Sequence, residues 1–194
     1  RLNPLGVVFA GIVLAITFFG TLVDLEKGIF VGILVSLIFY LYRTSQPSIR
    51  ELAPLKSEID DPRRKFVRAG TDAPSCPQMA MLRLEGSVFF GAVEHVQQQL
   101  RNVDEYDPQK KHVIIFSRAI NFIDLAGAEM LSKESARRQR LGGGLYLVGV
   151  QPSFYGMLNR GGHAEAVGRE NIFDHKGEAI QAIYPRLDCE ICRS

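Results

Sequence analysis

The feature that most constrains this chain is a join between two kinds of sequence. Leu5 to Val23 reads LGVVFAGIVLAITFFGTLV and carries no charge. A polar turn is expected at Asp24-Leu25-Glu26-Lys27-Gly28. A second apolar run then extends from Ile29 to Tyr42 and ends at Arg43. Beyond it, charged and apolar residues interleave as in a water-soluble domain. At about 1.5 Å per helical residue the first run covers about 28 Å, close to the roughly 30 Å hydrocarbon core of a bilayer. The second covers only about 22 Å by the same arithmetic. That length fits a helix packed inside a larger bundle, or a hairpin that does not cross fully. Neither run has the polar face that a helix of a soluble core needs. The sequence therefore predicts a helical transmembrane hairpin over residues 1–43. A signal peptide is a poor reading, because there are two segments and no small-residue cleavage site after a basic start.

Positive charge sets the expected orientation. Arg43, Arg50, Lys56, Arg63, Arg64, Lys65 and Arg68 follow the second run, Arg1 precedes the first, and only Lys27 lies between them. Both ends are expected on the cytoplasmic side of the cell (inner) membrane. The three cysteines, Cys76, Cys189 and Cys192, are too few for a disulfide framework and read as thiols of an intracellular domain. The 23 Lys and Arg nearly balance the 21 Asp and Glu and are spread along the chain, which argues against a nucleic-acid binder. Because residue 1 is Arg rather than Met, further sequence is expected upstream.

Residues 44–77 read as a linker, since Pro47, Pro54, Pro62, Pro74 and Pro77 interrupt any continuous helix. Residues 78–188 read as one α/β domain, and 189–194 as a tail. Met79–Leu84 alternates as a strand, and Gly86–Gly91 holds a short extended piece and a turn. Val93, Val96, Leu100 and Val103 mark one face of a helix over Ala92–Val103. His112–Phe116 and Leu145–Val150 read as strands. Between them, Leu125–Leu141 reads as a helix with Arg137, Arg138 and Arg140 at its negative end. Short helices are expected at Ser153–Arg160 and Lys176–Tyr184, and a short strand at Ile172–Phe173. Such alternation predicts a mostly parallel or mixed sheet flanked by helices.

The segment HVIIFSRAINFIDLAGAEML carries the candidate site. Asp124 stands at a helix start, where its carboxylate can accept from first-turn amides, and Gly127 permits close backbone approach. An N-cap is a sufficient structural explanation of Asp124; a contact loop for an anion or a partner protein is the functional one. Gly86–Gly91 lacks the Lys-Ser/Thr ending of a phosphate loop. Cys189-Glu190-Ile191-Cys192 has CxxC spacing without a second pair, and His95, His112, His163 and His175 are scattered, so no metal site is expected. No catalytic grouping is read from the sequence, and no cofactor is expected.

NFIDLAGAEML, with LRLEGSVFFGAVEHV upstream and GGGLYLVGV downstream, resembles the STAS domain. That domain is shared by anti-sigma-factor antagonists and the C-terminal tails of SulP-family anion permeases. The apolar hairpin with IFVGILVSLIFYLYRTSQPSI resembles the last two membrane helices of those permeases. The resemblance implies the end of a secondary transporter of sulfate, bicarbonate or chloride type. The anion site would lie in sequence absent here, and the parent would be a homodimer. The tail would regulate, dimerise or bind a cytoplasmic protein through a loop of Asp124, Leu125, Ala126 and Gly127. In the antagonists a phosphorylatable serine precedes the glycine; here Ala126 has no hydroxyl, so that switch cannot operate at this position. A membrane-tethered antagonist-like signalling module without transport is the alternative.

Overall fold

The computed structural model describes residues 4–23, 25–54, 66–68, 76–188 and 191. The chain divides into two compact units, Arg1–Ser45 and Gln46–Ser194.

The first unit is two helices, α1 (Pro4–Val23) and α2 (Leu25–Thr44), each of twenty residues. They approach closely through small residues. A Cβ on Gly20 would lie 3.3 Å from the Cα of Gly28, and one on Gly32 would lie 2.6 Å from Thr17 Cγ2. Thr17 returns its hydroxyl to Val13 O (2.8 Å), so its polarity is absorbed within the helix. The expected polar turn differs from what is found: Leu25 to Gly28 is the first turn of α2, and Asp24 lies outside the described residues. Among the described residues no helix is long and apolar enough to cross a membrane. Glu26, Lys27 and Arg43 fall inside α2. Ile12, Leu14, Phe18, Phe30, Ile33 and Ile38 are all exposed, as in a helix pair built to be covered.

The second unit is a mixed sheet with helices on both faces. Its strands are β1 (Ser48–Pro54), β2 (Phe66–Arg68), β3 (Met79–Val88), β4 (His112–Phe116), β5 (Ile120–Ile123), β6 (Gly144–Val148) and β7 (Ile172–Phe173). Among the described residues the order is β2-β1-β3-β4-β6-β7, with β5 also paired to β3. The pairs β1–β2 and β1–β3 are antiparallel. The pairs β3–β4, β3–β5, β4–β6 and β6–β7 are parallel.

The helices are α3 (Phe90–Tyr106), α4 (Leu125–Arg140), α5 (Pro152–Arg160), α6 (His163–Val167) and α7 (Lys176–Ile183). Alternation along β3 sends Ala80, Leu82 and Leu84 into a large core with Val96, Leu100, Leu131, Phe154 and Leu158 of α3, α4 and α5. Met79 and Met81 point to the second face, where Ile114, Tyr146, Ala179 and Ile183 form a smaller cluster under α7. On that face His112 Nδ1 sits 3.0 Å from the Tyr146 hydroxyl. Burial, then Arg186 and Lys111, hold the imidazole pKa below its ordinary value.

Other parts of the second unit also differ from expectation. The segment read as a linker contributes β1 and β2; its prolines bracket β1 at Pro47 and Pro54 instead of breaking it. Between the strand at His112–Phe116 and the helix from Leu125, where no strand was read, lies β5, and β3 runs on to Val88 to pair with it. Gly86 makes that possible, because at φ +115 it carries the register shift between Gly86 and Ser87. The region Gly161–Gly168, not assigned beforehand, contains α6.

Candidate functional site

The predicted loop is the junction of β5 and α4. Asp124 caps α4: its Oδ1 accepts from the Gly127 amide at 2.8 Å. Its second oxygen has a task that sequence did not reveal. Oδ2 accepts from the Phe90 amide at 2.9 Å, the first residue of α3. The residue before α3, Phe89, supplies no side-chain cap of its own. One carboxylate therefore serves two helix N-termini, whose unpaired amides and positive dipole ends both favour an anion there. The Asp124 amide donates in turn to Val88 O (3.3 Å), which ties the loop to the end of β3.

Gly127 is buried where α4 crosses that strand end. A Cβ there would stand 2.5 Å from Val88 O and 2.9 Å from Ile123 Cγ1. No side chain fits without moving backbone. Asp124 and Gly127 thus shape the loop, while Leu125 and Ala126 face outward: Leu125 is 56% exposed and Ala126 half-buried.

Two aromatic residues join them that the sequence reading missed. Phe90 is 81% exposed and Phe122 is 55% exposed. Phe122 faces solvent because Asn121 is the extra residue of the bulge, so that Ile120 and Phe122 pair with successive positions of β3. Asn121 and Phe122 then both point outward, while Ile120 and Ile123 stay in the core. Beside them lies a depression of about 380 Å³ whose walls include Phe122, Phe154, Met157 and Arg160. The loop therefore presents an apolar surface on a fixed frame, suited to a protein contact. Its only signal in the sequence was an unusually apolar run of residues next to a helix cap.

The other candidates are placed elsewhere. Cys76 is partly buried against the second-face cluster, and Cys189 and Cys192 lie outside the described residues. Among the described residues no group of three or more His, Cys, Asp or Glu is placed to hold a metal. His163 Nδ1 lies 3.0 Å from the Ser132 hydroxyl, and His112 Nδ1 lies 3.0 Å from the Tyr146 hydroxyl. Gly86 to Val88 lie within β3 and are no phosphate loop.

Comparison with known proteins agrees with this frame. Residues 71–179 match the family described as the STAS domain. YvdB of Bacillus subtilis, named for sulfate transport, is 25% identical over 170 residues, covering 86% of this chain and 29% of that protein. The structure of the murine anion transporter Slc26a9 in its inward-facing state shares the fold at a TM-score of 0.76 and 20% identity. It covers 91% of this chain and 29% of that one. A sulfate transporter family protein from Wolinella succinogenes is 29% identical at a TM-score of 0.50, covering 60% of this chain and 94% of its own. The chain thus spans less than a third of the length of the two longer relatives. The chain belongs to the STAS domain family.

Proposed function

We propose that this chain is the C-terminal part of a secondary active inorganic-anion transporter of the sulfate, bicarbonate or chloride class. In this reading α1 and α2 are the last two helices of its membrane domain. The observation that carries the reading is the order of parts: an apolar helical hairpin joined directly to a STAS unit, within a chain similar to YvdB over most of its length. The exposed apolar side chains of both helices support burial in lipid or against other membrane helices. Over the full bounds of α1 the sequence has no charge, and twenty residues rise about 30 Å.

The STAS unit serves regulation, dimerisation or partner binding, not chemistry. Its contact surface is Leu125 and Ala126, with Phe90 and Phe122 beside them, held in place by Asp124 and Gly127. The unit sits on the cytoplasmic side, and the parent protein works as a homodimer. Neither apolar run carries an ionisable residue to mark an ion pathway, so the pathway lies in other parts of the parent.

Vesicles carrying the full-length parent are expected to accumulate radiolabelled sulfate, bicarbonate or chloride. Vesicles carrying this chain alone are expected to take up none. Robust uptake by the chain alone, or no uptake of any of the three by the parent, would contradict the reading.

A further inference from the structure

The segment after α7 is tied to the second face of the sheet by polar groups that the proposed function does not use. A short turn, Tyr184–Arg186, leads to Leu187 and Asp188. Gln78, just before β3, grips the backbone of Asp188 with both amide atoms. Its Nε2 donates to Asp188 O (2.7 Å), and its Oε1 accepts from the Asp188 amide (2.9 Å). Leu187 packs on the second-face cluster. Arg186 lies over the Tyr146 ring, 5.8 Å from its centre. Its Nη1 stands 3.4 Å from both the Tyr146 hydroxyl and Asn171 Oδ1.

Tyr146 links this turn to His112, and both rings are buried. An arginine can only donate, so the Tyr146 oxygen accepts from Arg186 and its hydrogen is left for His112 Nδ1 at 3.0 Å. The donors run from Arg186 to Tyr146 to His112, and the imidazole must be neutral to end the series as an acceptor. The sheet makes room for this arrangement. Gly144 pairs with His112 across β4 and β6, and a Cβ on Gly144 would stand 2.7 Å from Tyr146 Oη. A larger residue there would push the hydroxyl off the imidazole. Among the described residues, the charged and titratable groups around His112 are Tyr146 of β6, Lys111 at the entry to β4, and Arg186 and Asp188 after α7. The Cys76 thiol, before β3, packs on the same cluster. The Asp188 side chain is exposed, and the net balance of burial, Arg186 and Lys111 disfavours the imidazolium.

A protonated imidazole donates from both nitrogens. Its Nδ1–H and Arg186 would then converge on one buried hydroxyl, with Lys111 adding a third positive charge. Arg186 is exposed and can leave. We propose that Tyr184–Asp188 is a latch, docked over neutral His112 and released when that imidazole takes up a proton. Release uncovers the part of the second-face cluster that Leu187 covers and gives the STAS unit a response to mild acidification. The sign follows from linkage. In the docked state the imidazole pKa lies below its ordinary value; on release it returns toward about 6.5. Docking is therefore at full strength above about pH 6.5 and weakens as pH falls toward the docked-state pKa. One proton is taken up, so the released fraction rises at most about tenfold per pH unit.

Hydrogen–deuterium exchange of the whole chain in phosphatidylcholine nanodiscs, from pH 5 to pH 8 and corrected for intrinsic rates, tests the latch. The reporting amides are Leu187, which bonds Tyr184 O, and Asp188, which bonds Gln78. Their protection should be constant above about pH 6.5 and fall below it, by up to about tenfold per pH unit. Amides of β4 and β6 should keep theirs, which verifies that the unit stays folded. His112→Gln retains an acceptor for the Tyr146 hydroxyl but does not titrate, so its latch protection should not change with pH. Arg186→Gln, a surface change, should loosen the latch at every pH. The His112 ring titration, followed by nuclear magnetic resonance in the unaltered chain, should share its midpoint with the loss of latch protection, whether or not His112→Gln folds. Constant latch protection from pH 5 to pH 8, a midpoint unrelated to the His112 titration, or the same pH dependence in folded His112→Gln overturns the proposal. The outcome is independent of whether the parent transports anions.

Discussion

Replacing Arg138 with methionine is expected to destabilise the STAS unit by about 3–5 kcal/mol, the range for breaking one side of a buried ion pair. Arg138 lies in the last turn of α4 yet is fully buried. Its Nε donates to Glu134 Oε1 (2.7 Å), its Nη1 to Lys110 O (3.0 Å) and its Nη2 to Leu100 O (2.8 Å). One guanidinium therefore ties α4 to α3 and to the loop entering β4. Asp104 Oδ1 stands 2.5 Å from Nη1 as an ion-pair contact, although no aligned hydrogen bond reaches that oxygen.

Methionine fills much of the volume but takes the guanidinium donors from the Lys110 and Leu100 carbonyls and the ion-pair contact from Asp104 Oδ1. Arg137 would remain on Glu134 through two bonds of 2.7 and 2.8 Å. This places the loss toward the lower end of the range. The Glu134 carboxylate is the chief cause that raises the Arg137 pKa above its ordinary value. Arg138→Lys should restore little, because an ammonium cannot span three acceptors in one plane. Denaturant unfolding of the reconstituted chain, followed by far-ultraviolet circular dichroism, measures the effect. A loss below about 1 kcal/mol, typical of a solvated surface pair, would show that Arg138 does not hold the helices together.

Gly127→Ala carries the second largest effect, about 1–3 kcal/mol from overpacking. The new methyl would meet a backbone oxygen, Val88 O, at 2.5 Å, not the end of a flexible side chain. Relief requires the start of α4 to move away from β3. That shift would stretch both bonds of Asp124 and displace Leu125 and Ala126. The substitution should therefore lower the melting temperature by about 2–4 °C per kcal/mol lost and also abolish partner binding through the loop. Asp124→Ala is the companion: it removes the caps of α3 and α4 together, at about 1–2 kcal/mol. If Gly127→Ala melts as the parent chain does, the close approach of α4 to β3 has no energetic weight.

These residues mark how far sequence alone reaches. HVIIF and LYLV are uninterrupted apolar runs, so β4 and β6 were legible as buried strands. The helix after Asp124 was legible from its cap and its basic last turn. In contrast, β1 is an antiparallel strand between two prolines, and its pairing partner β3 lies more than twenty residues on. Nothing local separates such a segment from a tether. β5 was hidden because its bulge turns Asn121 and Phe122 outward together and spoils the alternation. Five residues, as in α6, are too few to show a helical period. At the site, Asp124 and Gly127 were readable from spacing, but the bond to Phe90 spans 34 residues and is tertiary. Arg138 read as one of three cations at a helix end, and only packing against α3 shows that it is the buried one.

The central claim is that a bilayer-embedded helix pair holds a STAS unit on the inner side of the membrane. Protease protection tests it most directly. In intact spheroplasts expressing the chain, residues beyond Arg43 should resist added protease. In inside-out vesicles the same residues should be digested, leaving a fragment of α1 and α2 that stays with the membrane after alkaline carbonate washing. Digestion beyond Arg43 in intact spheroplasts, or release of the helix pair by carbonate, would contradict the account.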